Sequence, residues 1–331
     1  PAFFEGDIHD YFTLYDAAAR AVKSVSPVLR VGGPATSSNR WIPEMIAHCV
    51  ENEVPLDFIS THTYGVEGAL DEFGSNLHRL IDDPDTIVRD VRRARRQILE
   101  SALPDLPLYY TEWSASYSSR DNIHDSYICA PYILYNLKRI EGSVDAMSYW
   151  TFTDVFEEGG PAPTPFHGGF GMINLQGLKK PAFYAYEFYN SLGSHELDCD
   201  DADAWVCREG EDLQALVWNY TKPDQGQVPN QHYFTRDLPP RSCEDVALTV
   251  DGMTPGTYLL IERRVGYGKA DVYDAYRKLG CPDNLTREQT AALALCARCV
   301  PSSQIVTVDG TFAYTFPLAE NEVCLVELKK L

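Results

Sequence analysis

The sequence predicts an α/β fold followed by a β-rich region. Two patterns support this. Over the first 190 or so residues, helical and strand-like segments alternate regularly, which implies parallel strands joined by helical crossovers. Polar and aromatic residues gather just after each strand-like segment, at Gly33-Pro34, His62/Tyr64, Glu112/Trp113 and Trp150/Asp154. That is the C-terminal edge of such a sheet, where α/β barrels and open sheets carry their sites.

Each element has its own signal. Tyr11, Leu14, Tyr15, Ala18, Ala21, Val22 and Val25 fall at helical spacing and predict a helix over 10–25, ended by Pro27. Residues 29–32 read as a short strand that stops at Gly33-Pro34. Ser37, Ser38 and Asn39 offer caps for a second helix carrying Trp41, Ile42, Met45, Ile46 and Cys49. Residues 56–61 form a strand running into His62-Thr63-Tyr64, and a polar loop follows. Ile87, Val88, Val91, Ala94, Ile98 and Leu99 mark a third helix. Pro107 precedes the strand Leu108-Tyr109-Tyr110-Thr111-Glu112-Trp113, which ends in an acid and an indole. A helix over about 125–139 is expected to kink at Pro131. Residues 146–151 are a strand, 152–177 a long loop, and Pro181 opens a last helix through Tyr189. Beyond it, 213–218, 247–250, 258–261, 312–316 and 323–326 are strand-like, interrupted by helical stretches near 270–279 and 286–297.

Bulk properties exclude several functions. The 331 residues suggest about two domains, and 44% hydrophobic residues suffice for full cores. A formal net charge of -20 argues against nucleic acid or an anionic membrane as partner. No apolar run approaches a membrane span. The nine cysteines are scattered. Cys296 and Cys299 make a lone C-x-x-C without a second pair at zinc spacing, so structural thiols are expected and no metal. A Cys199–Cys207 bridge stays open at this level. Two short sequons, at Asn219 and Asn284, are weak signals. No G-x-S-x-G, P-loop, dinucleotide fingerprint or H-E-x-x-H occurs, and no cofactor is expected. The 12% aromatic content suits a cleft that stacks on sugar rings.

Thr111-Glu112-Trp113, flanked by His62-Thr63-Tyr64 and by Ser148-Tyr149-Trp150-Thr151-Phe152-Thr153-Asp154, resembles glycoside hydrolase family 39, and within it the β-xylosidases. Residues 29–35, Asp154-Val155-Phe156-Glu157-Glu158 and Phe166-His167-Gly168-Gly169-Phe170-Gly171 extend the resemblance, which runs to the final strand. It implies a (β/α)8 TIM barrel with a C-terminal β-sandwich. Residues 1–193 would be the C-terminal half of the barrel, strands five to eight, and 194–331 the sandwich. The family's Asn-Glu-Pro motif, whose Glu is the general acid/base, does not occur in this sequence. The acid/base is therefore expected upstream of residue 1, together with the first four barrel strands, because an eight-stranded barrel takes about 250 residues.

The resemblance also implies roles. Glu112 would be the nucleophile of a retaining glycosidase, in which one carboxyl attacks the anomeric carbon and a second protonates the leaving oxygen. A nucleophile must stay ionised and needs hydrogen-bond donors. Tyr64 is the expected donor, and His62 is expected beside the nucleophile or the sugar hydroxyls. Trp150 would stack as the floor of the subsite, joined to Thr151 by a non-proline cis peptide. Glu157 and Glu158 would bind hydroxyls, and Phe170, with His167, would shape the mouth. Segments 57–66, 108–119 and 146–170 contain no Lys or Arg, which favours a neutral sugar such as xylose over a uronate. The expected activity is removal of xylose from the non-reducing end of β-xylosides and xylo-oligosaccharides. An α-L-iduronidase-like glycosidase and a non-catalytic carbohydrate-binding protein are the alternatives. The expected partner is a small-molecule or oligosaccharide substrate, with no nucleic acid and no membrane. A homo-oligomer is compatible with the sequence, which leaves the compartment open.

Overall fold

The computed structural model describes residues 4–70, 76–156, 158–222 and 239–331. The chain forms two compact units. One comprises Pro1–Gly65, Ile81–Ser114 and Ile140–Trp150; the other comprises Val66–Leu80, Ala115–Arg139 and Thr151–Leu331.

The first unit is built on a parallel sheet. Strands β1 (Gly32–Ser37), β2 (Phe58–Tyr64), β5 (Leu108–Ser114) and β6 (Ala146–Tyr149) lie in the order β1-β2-β5-β6. Every pairing is parallel. Helices α1 (Ile8–Val25), α2 (Ile42–Glu51) and α3 (Thr86–Leu99) belong to the same unit. Four parallel strands with helical crossovers are the repeating pattern of a barrel wall. The apolar faces of α2 (Ile42, Met45, Ile46, Cys49) and α3 (Ile87, Val88, Val91, Ala94, Ile98) are buried, as their spacing predicts, whereas Leu99, expected with them at the end of α3, is exposed.

Several expectations change in detail. In α1 Tyr15 is buried and Tyr11 packs beside it as expected, but the rest of the stripe is Phe12, Ala19 and Ile8. Leu14 and Val25, expected on the inner face, are exposed at 58% and 80%. Both stripes have helical spacing, so periodicity alone did not choose between them. Asp7 starts this helix with a capping box, its carboxylate accepting from the His9 and Asp10 amides. The first strand starts at Gly32 rather than ending there, and a cis Gly33–Pro34 bond lies within it. Helix α2 has Trp41 at its N-cap, in the left-handed region, and no side-chain cap. Asn39, expected to cap, is instead buried: it donates to Asp90 O (2.8 Å) and accepts from the Tyr110 hydroxyl (2.6 Å). It thereby ties the α2 entry to α3 and β5.

The second unit contains a hairpin of β3 (Val66–Leu70) and β4 (Asn76–Leu80), where the sequence reads as polar loop. It also contains helices α4 (Cys129–Arg139) and α5 (Pro181–Tyr189). Pro131 does not kink α4 but sits in its first turn, where a missing N–H costs no intrahelical bond. Strands β7 (His195–Glu196), β8 (Ala204–Glu209), β9 (Asp212–Trp218), β11 (Gly256–Val265), β12 (Ser302–Val308) and β14 (Val323–Lys330) form a six-stranded antiparallel sheet, in the order β12-β11-β14-β9-β8-β7. Strands β10 (Val246–Asp251) and β13 (Thr311–Phe316) form a second sheet. One core joins them. Leu248, Val250, Phe312 and Phe316 pack with Val206, Leu213, Ala215, Tyr258, Leu260, Val326 and Leu328, the interleaved inner faces of a sandwich. Helices α6 (Val272–Lys278) and α7 (Arg287–Cys296) interrupt the strands near the expected positions. All nine cysteines are free thiols, so Cys199 and Cys207 are not bridged.

Candidate active site

Glu112 stands at an irregularity of the parallel ladder. On one side β5 pairs with β2 as Thr61↔Tyr110 and then His62↔Glu112, so Thr111 is an extra residue. On the other side the register with β6 also shifts, between Tyr110 and Trp113. Such bulges re-aim side chains and recur beside active sites. The strict in/out alternation of β5 ends here. Tyr110 and Trp113 are buried, Thr111 is exposed, and Glu112 is half-buried.

Two side chains from the end of β2 meet the Glu112 carboxylate. The Tyr64 hydroxyl donates to Oε1. His62 Nδ1 lies 3.5 Å from Oε2, and its Nε2 lies 3.1 Å from the Thr111 hydroxyl. Burial pulls the His62 pKa below its ordinary value, so the imidazole is neutral at pH 7. An ionised carboxylate only accepts, so the neutral ring turns its Nδ1–H toward Glu112 and its Nε2 accepts from the Thr111 hydroxyl. The bulge residue thus completes the histidine's hydrogen bonding, a role that strand periodicity could not reveal. The result is an anionic oxygen pair met by two neutral side chains. That environment suits a carboxylate that must remain charged and nucleophilic.

Trp150 follows β6 directly. Its amide donates to Trp113 O (2.9 Å), which places its backbone one residue along the ladder from Glu112, and its ring is half-buried. The Trp150–Thr151 peptide is trans: the cis bond among the described residues is Gly33–Pro34. The expected cis bond is therefore corrected. The Trp150 amide continues the ladder, while the Thr151 amide donates to Phe170 O (3.0 Å), so both amides are satisfied in the ordinary trans geometry.

The remaining expected residues belong to the second unit. Glu157 lies outside the described residues, and Glu158 is exposed. Phe170 is buried at 3%, its ring centroid 5.4 Å from that of His124. His167 Nδ1 is 3.0 Å from Thr164 O, and burial lowers its pKa. Arg120, one residue beyond the cation-free segments, donates to Gly159 O (2.9 Å) and Gly160 O (3.0 Å). Its guanidinium is engaged by the loop backbone. The sequence reading missed Thr111, Arg120, Asp125 and Lys180, and singled out Asp154 only as a strand-end residue, because isolated polar residues carry no periodic signal. Among the described residues, no group of three or more His, Cys, Asp or Glu side chains is placed to hold a metal ion.

Comparison with known proteins gives this geometry a context. The chain is 32% identical over 333 residues to a β-xylosidase of Geobacillus stearothermophilus, covering 97% of this chain and 62% of that protein. It is 34% identical over 298 residues to a β-xylosidase of Caldicellulosiruptor saccharolyticus, covering 88% and 57%. Among solved structures, the GH39 enzyme from Xanthomonas axonopodis pv. citri matches with a TM-score of 0.95 at 43% identity, covering 98% of this chain and 65% of that one. A monomeric β-xylosidase from Caulobacter crescentus CB15 matches with a TM-score of 0.95 at 44% identity, covering 98% and 66%. The chain thus spans less than two thirds of the length of each of these proteins. Their fold class is the (β/α)8 barrel with a β-sandwich expected from the sequence, and this chain's four parallel strands and separate antiparallel sheets agree with part of such a barrel and its sandwich. The profile of "Glycosyl hydrolases family 39" matches residues 2–310, across both the parallel strands and most of the sandwich, and on that ground the chain belongs to this family.

Proposed function

We propose that the chain carries the nucleophile and part of the sugar subsite of a retaining β-xylosidase. The observation that carries the reading is the Glu112 carboxylate, set at the ladder bulge with Tyr64 donating to it and His62 beside it. In the first step, a Glu112 oxygen attacks the anomeric carbon while a second carboxyl, outside the residues named here, protonates the departing oxygen. The bond to the aglycone breaks and a glycosyl ester forms. Water, deprotonated by that second carboxyl, then releases the sugar with retained configuration and returns Glu112 to its ionised form. Tyr64 stabilises the carboxylate as it leaves. Trp150 supplies an apolar face for the sugar ring.

A neutral pentose fits better than a uronate. Two groups that face Glu112 are a phenol and a histidine kept neutral by burial, and neither would neutralise a substrate carboxylate. The two β-xylosidases at 32% and 34% identity support the same substrate class. The test is Glu112→Gln in the complete enzyme, assayed on an aryl β-xyloside. Turnover should be almost abolished while circular dichroism and the melting temperature stay near wild type. An amide cannot form the ester, so a variant with more than about a tenth of the wild-type rate rejects Glu112 as nucleophile.

A further inference from the structure

The second unit holds a buried charge cluster that the chemistry above does not use. The side chains of Lys180, Asp125 and Asp154 are wholly buried. Lys180 Nζ lies 2.6 Å from Asp125 Oδ1 and 2.8 Å from Asp154 Oδ2, and it donates to Gly169 O at 2.9 Å. The second oxygen of each carboxylate takes a backbone amide: Asp125 Oδ2 accepts from Gly168 N–H (2.7 Å) and Asp154 Oδ1 from Gly171 N–H (2.6 Å). One ammonium and two carboxylates therefore converge on three residues of one short stretch, Gly168, Gly169 and Gly171. Glycine is what permits this approach. A Cβ on Gly169 would stand 2.5 Å from Asp154 Oδ1, and one on Gly171 would stand 2.3 Å from Asp154 N.

The clamped stretch is in turn joined to the start of the long loop. Thr151 N–H donates to Phe170 O (3.0 Å), Met172 N–H to Thr151 O (3.1 Å) and Asp154 N–H to Ile173 O (2.9 Å). The clamp thus closes both ends of a loop that carries Glu158 and returns through His167 and Phe170. Buried ion clusters seldom add stability over an apolar core of the same shape, because desolvation offsets the Coulomb gain. What such a cluster can supply is a fixed geometry. Burial alone would pull the Lys180 pKa down, but the two carboxylates outweigh it and hold the ammonium charged.

We propose that Lys180, Asp125 and Asp154 are positioning residues whose ion cluster sets the two ends of this loop, 151–154 and 168–171, for sugar binding. This rests on the reading of that loop as part of a glycosidase subsite. Lys180→Met in the complete enzyme, assayed on an aryl β-xyloside, should raise KM by about tenfold or more and change kcat by less than about threefold, because the substitution leaves Glu112, Tyr64 and His62 themselves unaltered. Amide hydrogen exchange should show Gly168 and Gly171 losing protection while the sandwich strands keep theirs. If Lys180→Met does not fold, Asp154→Asn decides, since it keeps the shape and brings the cluster from net −1 to neutral. A KM rise of at least about threefold is expected from it. A folded variant with unchanged KM, or with Gly168 and Gly171 still protected, overturns the proposal. A wild-type enzyme inactive on xylosides rejects the glycosidase reading instead, and hydrogen exchange still decides the clamp.

Discussion

Tyr64→Phe isolates what the hydrogen bond to Glu112 does. The phenyl ring keeps the packing at the end of β2 and removes one donor from the carboxylate. In the second chemical step Glu112 is the leaving group, and negative charge returns to the oxygen that Tyr64 meets. A hydrogen bond to a charged group is worth about 1.5–3 kcal/mol. At about 1.36 kcal/mol per decade, its loss slows release of the sugar by about 10- to 150-fold. The first step, driven by a good aryl leaving group, is less affected. The glycosyl-enzyme should therefore accumulate. Stopped-flow measurement of nitrophenol release should show a burst close to one equivalent per site, followed by a slow steady state, with KM falling alongside kcat. A variant with no burst and a kcat within about threefold of wild type would show that Tyr64 does not stabilise the departing carboxylate.

Three further outcomes are expected. Trp150→Ala should raise KM for xylosides by roughly tenfold through lost stacking, and an unchanged KM in steady-state assays removes Trp150 from the sugar floor. Stability should fall as pH drops below about 6.5, because burial lowers the pKa of His62, His124 and His167 and the unfolded chain binds protons that the folded one does not. Asp271, pushed up to about 6 by burial, works in the opposite direction, so the net slope should not exceed about two protons; a melting temperature that rises on acidification from pH 7 to 5.5 contradicts this. In a structure of the complete enzyme, the carboxyl opposite Glu112 should lie about 5–5.5 Å away, whereas about 6.5–9.5 Å would indicate inversion.

Much of the fold is legible in the sequence because burial imposes a period. Helices α2 and α3 present one strongly apolar face each, and Ile42, Met45, Ile46, Val88, Val91 and Ile98 are buried as read. Helix α1 is harder, since Leu14, Ala18 and Val25 repeat as regularly as Phe12, Tyr15 and Ala19, and packing against α2 selects the second set. The β3–β4 hairpin escapes notice because its two five-residue strands, VEGAL and NLHRL, lack a regular apolar–polar alternation, and β7 because it has only two residues. At the site, Glu112, Tyr64 and His62 are legible as polar residues where strands end. Their partners are not. The ladder slip that frees Thr111 to meet His62 depends on pairing across three strands, and nothing local in β5 announces it. The Lys180 cluster draws on residues 55 positions apart in the chain, and only the folded loop brings them together.

The most direct measurement is covalent trapping of the nucleophile. A 2-fluoro xylosyl donor with a good leaving group forms the glycosyl ester but releases it slowly, because fluorine disfavours the oxocarbenium-like transition state. After reaction with the complete enzyme, peptide mass spectrometry should place one fluoroxylosyl group on Glu112, within Leu108–Ser114, and free xyloside should protect against it. A label on any other carboxylate, or inactivation without a covalent adduct, would contradict Glu112 as the attacking group.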